Sequence, residues 1–309
     1  LMIRFLFVIV FTAILTAFFM QEPLKIYLET KHHIELNLPQ NIIFKKGSEF
    51  YEFLKQIFKN QAKNEPEIFI DENLSIDRNI TILLTKELDS NLTQTHSKIT
   101  LKSGDEVLFI GDSIMQSIAM NARKIFARRG VKVIDMSKHS TGLINKKYYD
   151  WQIASERTLK NHKNIKLVVA LFGANDSWGR TIAGKYRELN STEWGEFYEK
   201  RVDEIFQIAK QNGVWLIWLG TPCMKNAEFS AKMVRLNEIF KTTSQRHNQN
   251  FIDLTEVVCQ NGYITHINNE KNESVRVRAN DGIHLSIEGG REAVIRMIDE
   301  IKFENNGSF

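Results

Sequence analysis

Four short stretches of this chain carry residue types suited to acyl transfer. The first is Gly111-Asp112-Ser113, which follows the apolar run Val107–Ile110 and precedes a helical pattern. The others are Gly142 within Ser140-Thr141-Gly142-Leu143, Gly173-x-Asn175-Asp176, and Asp281-x-x-His284. Ser113 has two readings. A serine between strand and helix can be an N-cap, its oxygen accepting an orphan backbone N–H. It can also be a nucleophile, fixed in direction and close to N–H donors at a helix start that would hold an oxyanion. A serine hydroxyl attacks only when a base removes its proton, and the unperturbed pKa of a histidine such as His284 lies near neutrality. Asp281, three residues earlier, can reach the other ring nitrogen and hold the tautomer. The N–H groups of Ser113 and Gly142 and the side-chain amide of Asn175 would then receive the oxyanion, each such donor being worth about 3 kcal/mol of barrier. Taken singly, Gly142, Asn175 and Asp281 read as turn or cap residues and His284 as an ordinary histidine. Their joint placement is what points to a site.

That placement depends on the elements between them. Apolar runs at 106–111, 131–136, 165–173, 214–220 and 251–254 alternate with amphipathic helical patterns at 115–128, 194–211, 228–245 and 287–302. Continuous apolar strands alternating with amphipathic helices predict a parallel sheet covered on both faces. The expected fold is therefore α/β, a flavodoxin-like three-layer sandwich with a five-stranded parallel sheet. In such sheets the functional crevice lies at the carboxyl ends of the strands. All four stretches fall on strand exits or on the connection before the last helix.

These blocks, in this order, resemble those of the SGNH (GDSL-type) hydrolase superfamily over roughly residues 104–303. Together with Ser140–Leu143, Asp150-Trp151 and the run Arg278–Ser286, they are similar to a periplasmic branch of that superfamily catalogued as a domain of unknown function. The resemblance implies Ser113, His284 and Asp281 as the catalytic triad, and Ser113, Gly142 and Asn175 as the oxyanion hole. It implies an ester substrate, namely the O-acetyl groups of an envelope polysaccharide, with no cofactor and no metal. The same residues would serve an O-acetyltransferase with a membrane acyl-donor partner. A non-catalytic glycan-binding or scaffold protein is the reading from another class, and the intact Ser113, His284 and Asp281 argue against it. Three further residues are candidate substrate contacts. Arg278 could meet an anionic group, Trp178 (like Trp194) could stack on a sugar ring, and Asp176 adjoins Asn175.

Composition sets outer limits. Hydrophobic residues make up 43% and charged residues 25%, as in an ordinary globular protein. A net charge of +4, spread along 309 residues, gives no basic patch for nucleic acid. The pair His32-His33 lacks acidic or cysteine companions at ligand spacing, so no metal site is expected there. Arg4 followed by the apolar stretch Phe5–Met20 reads as an inner-membrane anchor or a cleaved signal peptide, and both export the remainder to the periplasm. Cys223 and Cys259 suit an oxidising compartment, and a bridge between them is compatible with the strands they follow. The expected organisation is residues 1–21 as anchor or signal, 22–100 as a connector with a small appended helix/strand element, 101–303 as the hydrolase domain and 304–309 as a polar tail.

Overall fold

The structure, a computed structural model, describes residues 99–304 continuously, together with scattered positions between Thr12 and Phe53. The chain divides into two compact units, and residues 98–309 lie in one of them. The expected apolar anchor and the appended helix/strand element expected within residues 22–100 fall wholly or largely outside the described residues. Among the described residues, no helix is long and apolar enough to cross a membrane.

The central sheet has the order β3-β2-β4-β7-β8 and is parallel throughout. Its strands are β2 (Glu106–Gly111), β3 (Lys132–Asp135), β4 (Ile165–Leu171), β7 (Trp215–Leu219) and β8 (Asn250–Ile252). Every residue of β2 is buried, as are six of the seven in β4, which is what helices on both faces require. Those helices are α1 (Met115–Ala127), α2 (Trp151–Asn161), α3 (Thr192–Gln211), α4 (Ala227–Arg246) and α6 (Ile287–Ile298), and a short α5 (Leu254–Val258) follows β8. Five of the six start at an Asp, Ser or Asn whose side chain accepts a first-turn N–H. The exception is α1, which starts at Ile114 with no side-chain cap, so Ser113 does not cap it.

The fold departs from the sequence reading in several places. The last helix stops at Ile298, and Ile301–Glu304 form β11, paired in parallel with β1 (Ile99–Lys102). An additional helix, α2, precedes β4. The polar connection after β4 carries a hairpin of β5 (Arg180–Ile182) and β6 (Lys185–Arg187), and a second hairpin pairs β9 (His266–Asn268) with β10 (Ser274–Arg276). Cys223, beyond β7, is bonded to Cys259, beyond α5, with Cα atoms 6.1 Å apart.

Candidate active site

The turn at Ser113 is braced from below. Asp112, wholly buried, accepts the N–H of Ile114 through Oδ1 at 2.9 Å, and its own N–H donates to Leu171 O at 3.2 Å. Burial, reinforced by the nearby charge of Asp176, pushes the Asp112 carboxyl up to about 7 against the pull of the Ile114 N–H. This fixes the turn and leaves Ser113 partly exposed at the head of α1.

The structure brings Ser113, His284 and Asp281 together across 171 residues of sequence. Ser113 Oγ lies 2.7 Å from His284 Nε2, and His284 Nδ1 lies 2.6 Å from Asp281 Oδ2. The other Asp281 oxygen accepts the N–H groups of Ile283 at 2.8 Å and His284 at 3.0 Å. Partial burial raises the Asp281 pKa, but these N–H groups and the imidazole outweigh it and hold the carboxyl down at about 2. An ionised Asp281 can only accept, so the proton of the neutral ring sits on Nδ1. The lone pair of Nε2 is then free to accept the Ser113 hydroxyl proton, which is what a general base requires. Both groups meet solvent, with side-chain exposures of 37% for His284 and 47% for Asp281.

Two helices set the distance between Ser113 and His284. α1 begins two residues after Ser113, and α6 begins three residues after His284. At their crossing, a Cβ added to Gly290 would lie 2.6 Å from the carbonyl group of Ser117. Asn121 Nδ2 donates to Ser117 O in its own helix and to Ile287 O in α6, both at 2.8 Å. The backbones are in contact because Gly290 has no side chain. The sequence reading missed Gly290 and Asn121. The signal was there in Gly289-Gly290, two glycines inside a helical pattern, where each costs close to 1 kcal/mol relative to alanine and so indicates close packing.

The expected oxyanion donors lie on neighbouring loops of the same rim. Gly142 is in the connection after β3, which is tied to the Ser113 turn by Lys138 N–H donating to Gly111 O at 2.9 Å. Neither Ser113 nor Gly142 donates its backbone N–H to another group among the described residues. Asn175 gives one N–H of its amide to Thr141 O at 3.0 Å and keeps the second.

The expected substrate contacts need correction. Asp176 is only 2% exposed, and its oxygens accept Leu143 N–H, Ile144 N–H and the Tyr198 hydroxyl, so it holds a loop and does not face a ligand. Arg278 is fully buried, with Nη2 donating to Cys223 O at 2.7 Å and Ile283 O at 3.0 Å and the guanidinium over the Tyr263 ring. Burial lowers its pKa from the usual guanidinium value. Arg278 thus braces the connection that carries Asp281 and His284. Trp194 is fully buried against Tyr198, which excludes it from stacking on a sugar. Trp178 is half-buried, stacked near Phe229 with the Lys232 ammonium over its ring, and it lines a cavity of about 400 Å³ shared with Tyr186 and Asn190. No group of three or more His, Cys, Asp or Glu side chains able to hold a metal occurs among the described residues.

One family model, described as Protein of unknown function (DUF459), matches residues 106–300. No curated protein matches the chain. Among solved structures, the acetylxylan esterase Axe2 of Geobacillus stearothermophilus aligns at 19% identity over 67% of this chain and 98% of its own, with a TM-score of 0.47. LAE5, an alpha/beta hydrolase enzyme from the metagenome of Lake Arreo, aligns at 17% over 65% and 96%, also with a TM-score of 0.47. A putative SGNH hydrolase of Slackia heliotrinireducens aligns at 17% over 63% and 98%, with a TM-score of 0.45.

Proposed function

Because the chain belongs to the DUF459 family, whose description assigns no activity, we propose its activity from the site itself: a serine esterase that cleaves small acyl esters through an acyl-Ser113 intermediate. The observation that carries this reading is the unbroken chain Ser113 Oγ–His284 Nε2 and His284 Nδ1–Asp281 Oδ2, at 2.7 and 2.6 Å. His284 takes the Ser113 proton as Oγ bonds to the ester carbonyl carbon, and Asp281 stabilises the imidazolium that results. The carbonyl oxygen becomes an anion held by the N–H groups of Ser113 and Gly142 and the amide of Asn175. When the tetrahedral centre collapses, the C–O bond of the leaving alcohol breaks and His284 returns the proton to that oxygen. A water molecule, deprotonated by His284, then releases the acid and restores Ser113. The solvent exposure of His284 and Asp281 favours water over a sugar hydroxyl as the acceptor, and so hydrolysis over transfer.

The substrate we infer is an O-acetylated envelope polysaccharide. This rests on the resemblance of the motif blocks from Gly111 to Ser286. An exported, periplasmic setting is part of the same proposal, and the Cys223–Cys259 disulfide supports it because such bonds persist in oxidising compartments.

The test is turnover of an activated acetyl ester by the wild type and by Ser113→Ala. We expect Ser113→Ala to lose activity while its unfolding free energy changes by less than about 2 kcal/mol, since this serine caps no helix. Wild-type turnover by the alanine variant would refute the nucleophile. With glycan oligomers present, free acetate should exceed acetylated sugar. The reverse ratio would make the protein a transferase with the same triad.

A further inference from the structure

Asp176 is a buried acidic side chain that the steps above leave unused. Its carboxylate sits beneath the loop that carries Gly142, and two successive peptide N–H groups converge on it. Leu143 donates to Oδ2 at 2.8 Å and Ile144 to Oδ1 at 3.1 Å, while the Tyr198 hydroxyl, projecting from α3, donates to Oδ2 at 3.0 Å. The contact is so close that a Cβ on Gly142 would fall 2.1 Å from Asp176 Oδ1. Glycine is therefore required at 142 by the carboxylate below it.

We propose that Asp176 is the positioning residue of the oxyanion hole, holding the peptide that presents the Gly142 N–H, with Tyr198 anchoring the carboxylate to α3. This role rests on the esterase reading. A peptide unit is planar, so fixing its carbonyl fixes its N–H. The unit between Thr141 and Gly142 is held on one side by Asn175 Nδ2, which donates to Thr141 O at 3.0 Å. On the other side, the next two N–H groups are held by Asp176. Residues 175 and 176 are adjacent, so two of the three oxyanion donors, the Gly142 N–H and the Asn175 amide, are locked to each other through one dipeptide. Donors fixed in advance need no reorganisation as charge develops on the carbonyl oxygen, which is the condition under which they lower the barrier most. The charged and titratable groups acting on Asp176 and its partner Tyr198 are Asp112 at the nucleophile turn, Tyr198 itself on α3 and Arg180 on β5. Burial raises the Asp176 pKa from its ordinary value, and the three donors and Arg180 oppose that rise.

The experiment uses the full chain, an activated acetyl ester, and amide hydrogen exchange at Leu143 and Ile144. Asp176→Asn keeps the shape but turns an NH2 group towards one of the two N–H donors. The expected result is a kcat lower by about 10- to 100-fold, bounded above by the loss of roughly one oxyanion donor. KM should stay within about threefold of wild type, because the loop contributes to the transition state and hardly to ground-state binding. Exchange at Leu143 and Ile144 should accelerate. Tyr198→Phe removes only one donor and should shift both readouts in the same direction by less, which keeps the test decisive if the asparagine variant does not fold. Wild-type kcat in both variants, a rise in KM alone, or unchanged exchange overturns the role. Absence of Ser113-dependent turnover in the wild type overturns the esterase reading and this role with it. Normal wild-type turnover with an unaffected Asp176→Asn variant overturns this role alone.

Discussion

The contact between α1 and α6 makes a demand on one residue remote from the chemistry. Gly290→Ala adds a methyl group to a buried position, a change that ordinarily favours a helix by close to 1 kcal/mol. Here the methyl would meet Ser117 C and O at 2.6 Å, where an ordinary contact begins at 3.4 Å, so about 0.8 Å must be found. Ser117 lies in the first turn of the helix that follows Ser113, and Gly290 lies one turn into the helix that follows His284. If the two helices separate by that full distance, the Ser113–His284 hydrogen bond stretches from 2.7 Å to about 3.5 Å, the limit of useful proton transfer. The Asn121 amide that spans the gap stretches with it. Misplacement of this order costs up to about 100-fold in rate, whereas overpacking of one methyl typically costs about 1–3 kcal/mol of stability.

The assay is kcat for an activated ester beside a thermal melt, for wild type and Gly290→Ala. The reasoning requires a variant that is folded at the assay temperature and slower by about 10- to 100-fold. Gly213→Ala serves as a control, because that glycine has no neighbour within 4 Å of an added Cβ, although its φ of +65° imposes strain. The control should lose stability and keep its kcat. If Gly290→Ala turns over like the wild type, the helix crossing does not set the catalytic distance.

Three other outcomes follow. Asp281→Asn presents an N–H to His284 Nδ1, which moves the ring proton to Nε2 and blocks the base, so kcat should fall about 10⁴-fold with little change in fold, as judged by circular dichroism. Reducing Cys223–Cys259 reopens a loop spanning 36 residues and should lower stability by about 4 kcal/mol on the chain-entropy account, read as a shift of the urea midpoint. Asp112 has a folded pKa of about 7 against an ordinary 3.8, so the folded state binds its proton more tightly. Its contribution is therefore present below about pH 4 and is lost as pH rises through 7, to the extent of about 4 kcal/mol. Asp112→Asn should flatten the stability profile between pH 4 and pH 8, and an unchanged slope in chemical denaturation would refute the assignment.

The sheet was legible because β2, β4 and β7 are continuous apolar runs, a pattern that few other structures produce. A parallel sheet also places its exits on one rim by construction, so Ser113, Gly142, Asn175 and His284 could be assigned to a common site before any distance was known. α2 escaped notice because it buries only Trp151, Ser155 and Leu159, a narrow stripe with a serine in it. The paired strands of both hairpins are three residues long and bury only one side chain, Ile267, too short for a period to register. β11 was absorbed into the preceding helix because its partner, β1, lies some 200 residues away in the chain. The misassigned charges share a single cause. Arg278 and Asp176 read from sequence as candidate substrate contacts, but their burial depends on partners 55 and 33 residues distant, which no local pattern encodes.

Those buried ionisable groups also explain how three irregular loops hold one geometry. Each segment of the proposed site rests on an ionisable group that solvent barely reaches: Asp112 beneath the Ser113 turn, Asp176 beneath the Gly142 loop, Arg278 behind the Asp281–His284 connection. In every case the partners include backbone N–H or C=O groups of the loop itself. An apolar side chain at these positions would avoid the desolvation that a buried charge suffers, and replacing buried charges by well-packed apolar groups is often stabilising. It would also leave those peptide groups without partners, at about 1–3 kcal/mol each, and free to take more than one orientation. A helix or strand satisfies its own backbone, but a loop cannot, so a loop that must aim an N–H or an imidazole to within a fraction of an ångström needs an external group to bind its peptides. A carboxylate can accept several N–H groups at once and a guanidinium can donate to several carbonyls, which makes a single buried charge sufficient for a whole turn. The desolvation cost borne at Asp112, Asp176 and Arg278 is on this account what fixes the relative positions of Ser113, Gly142 and His284.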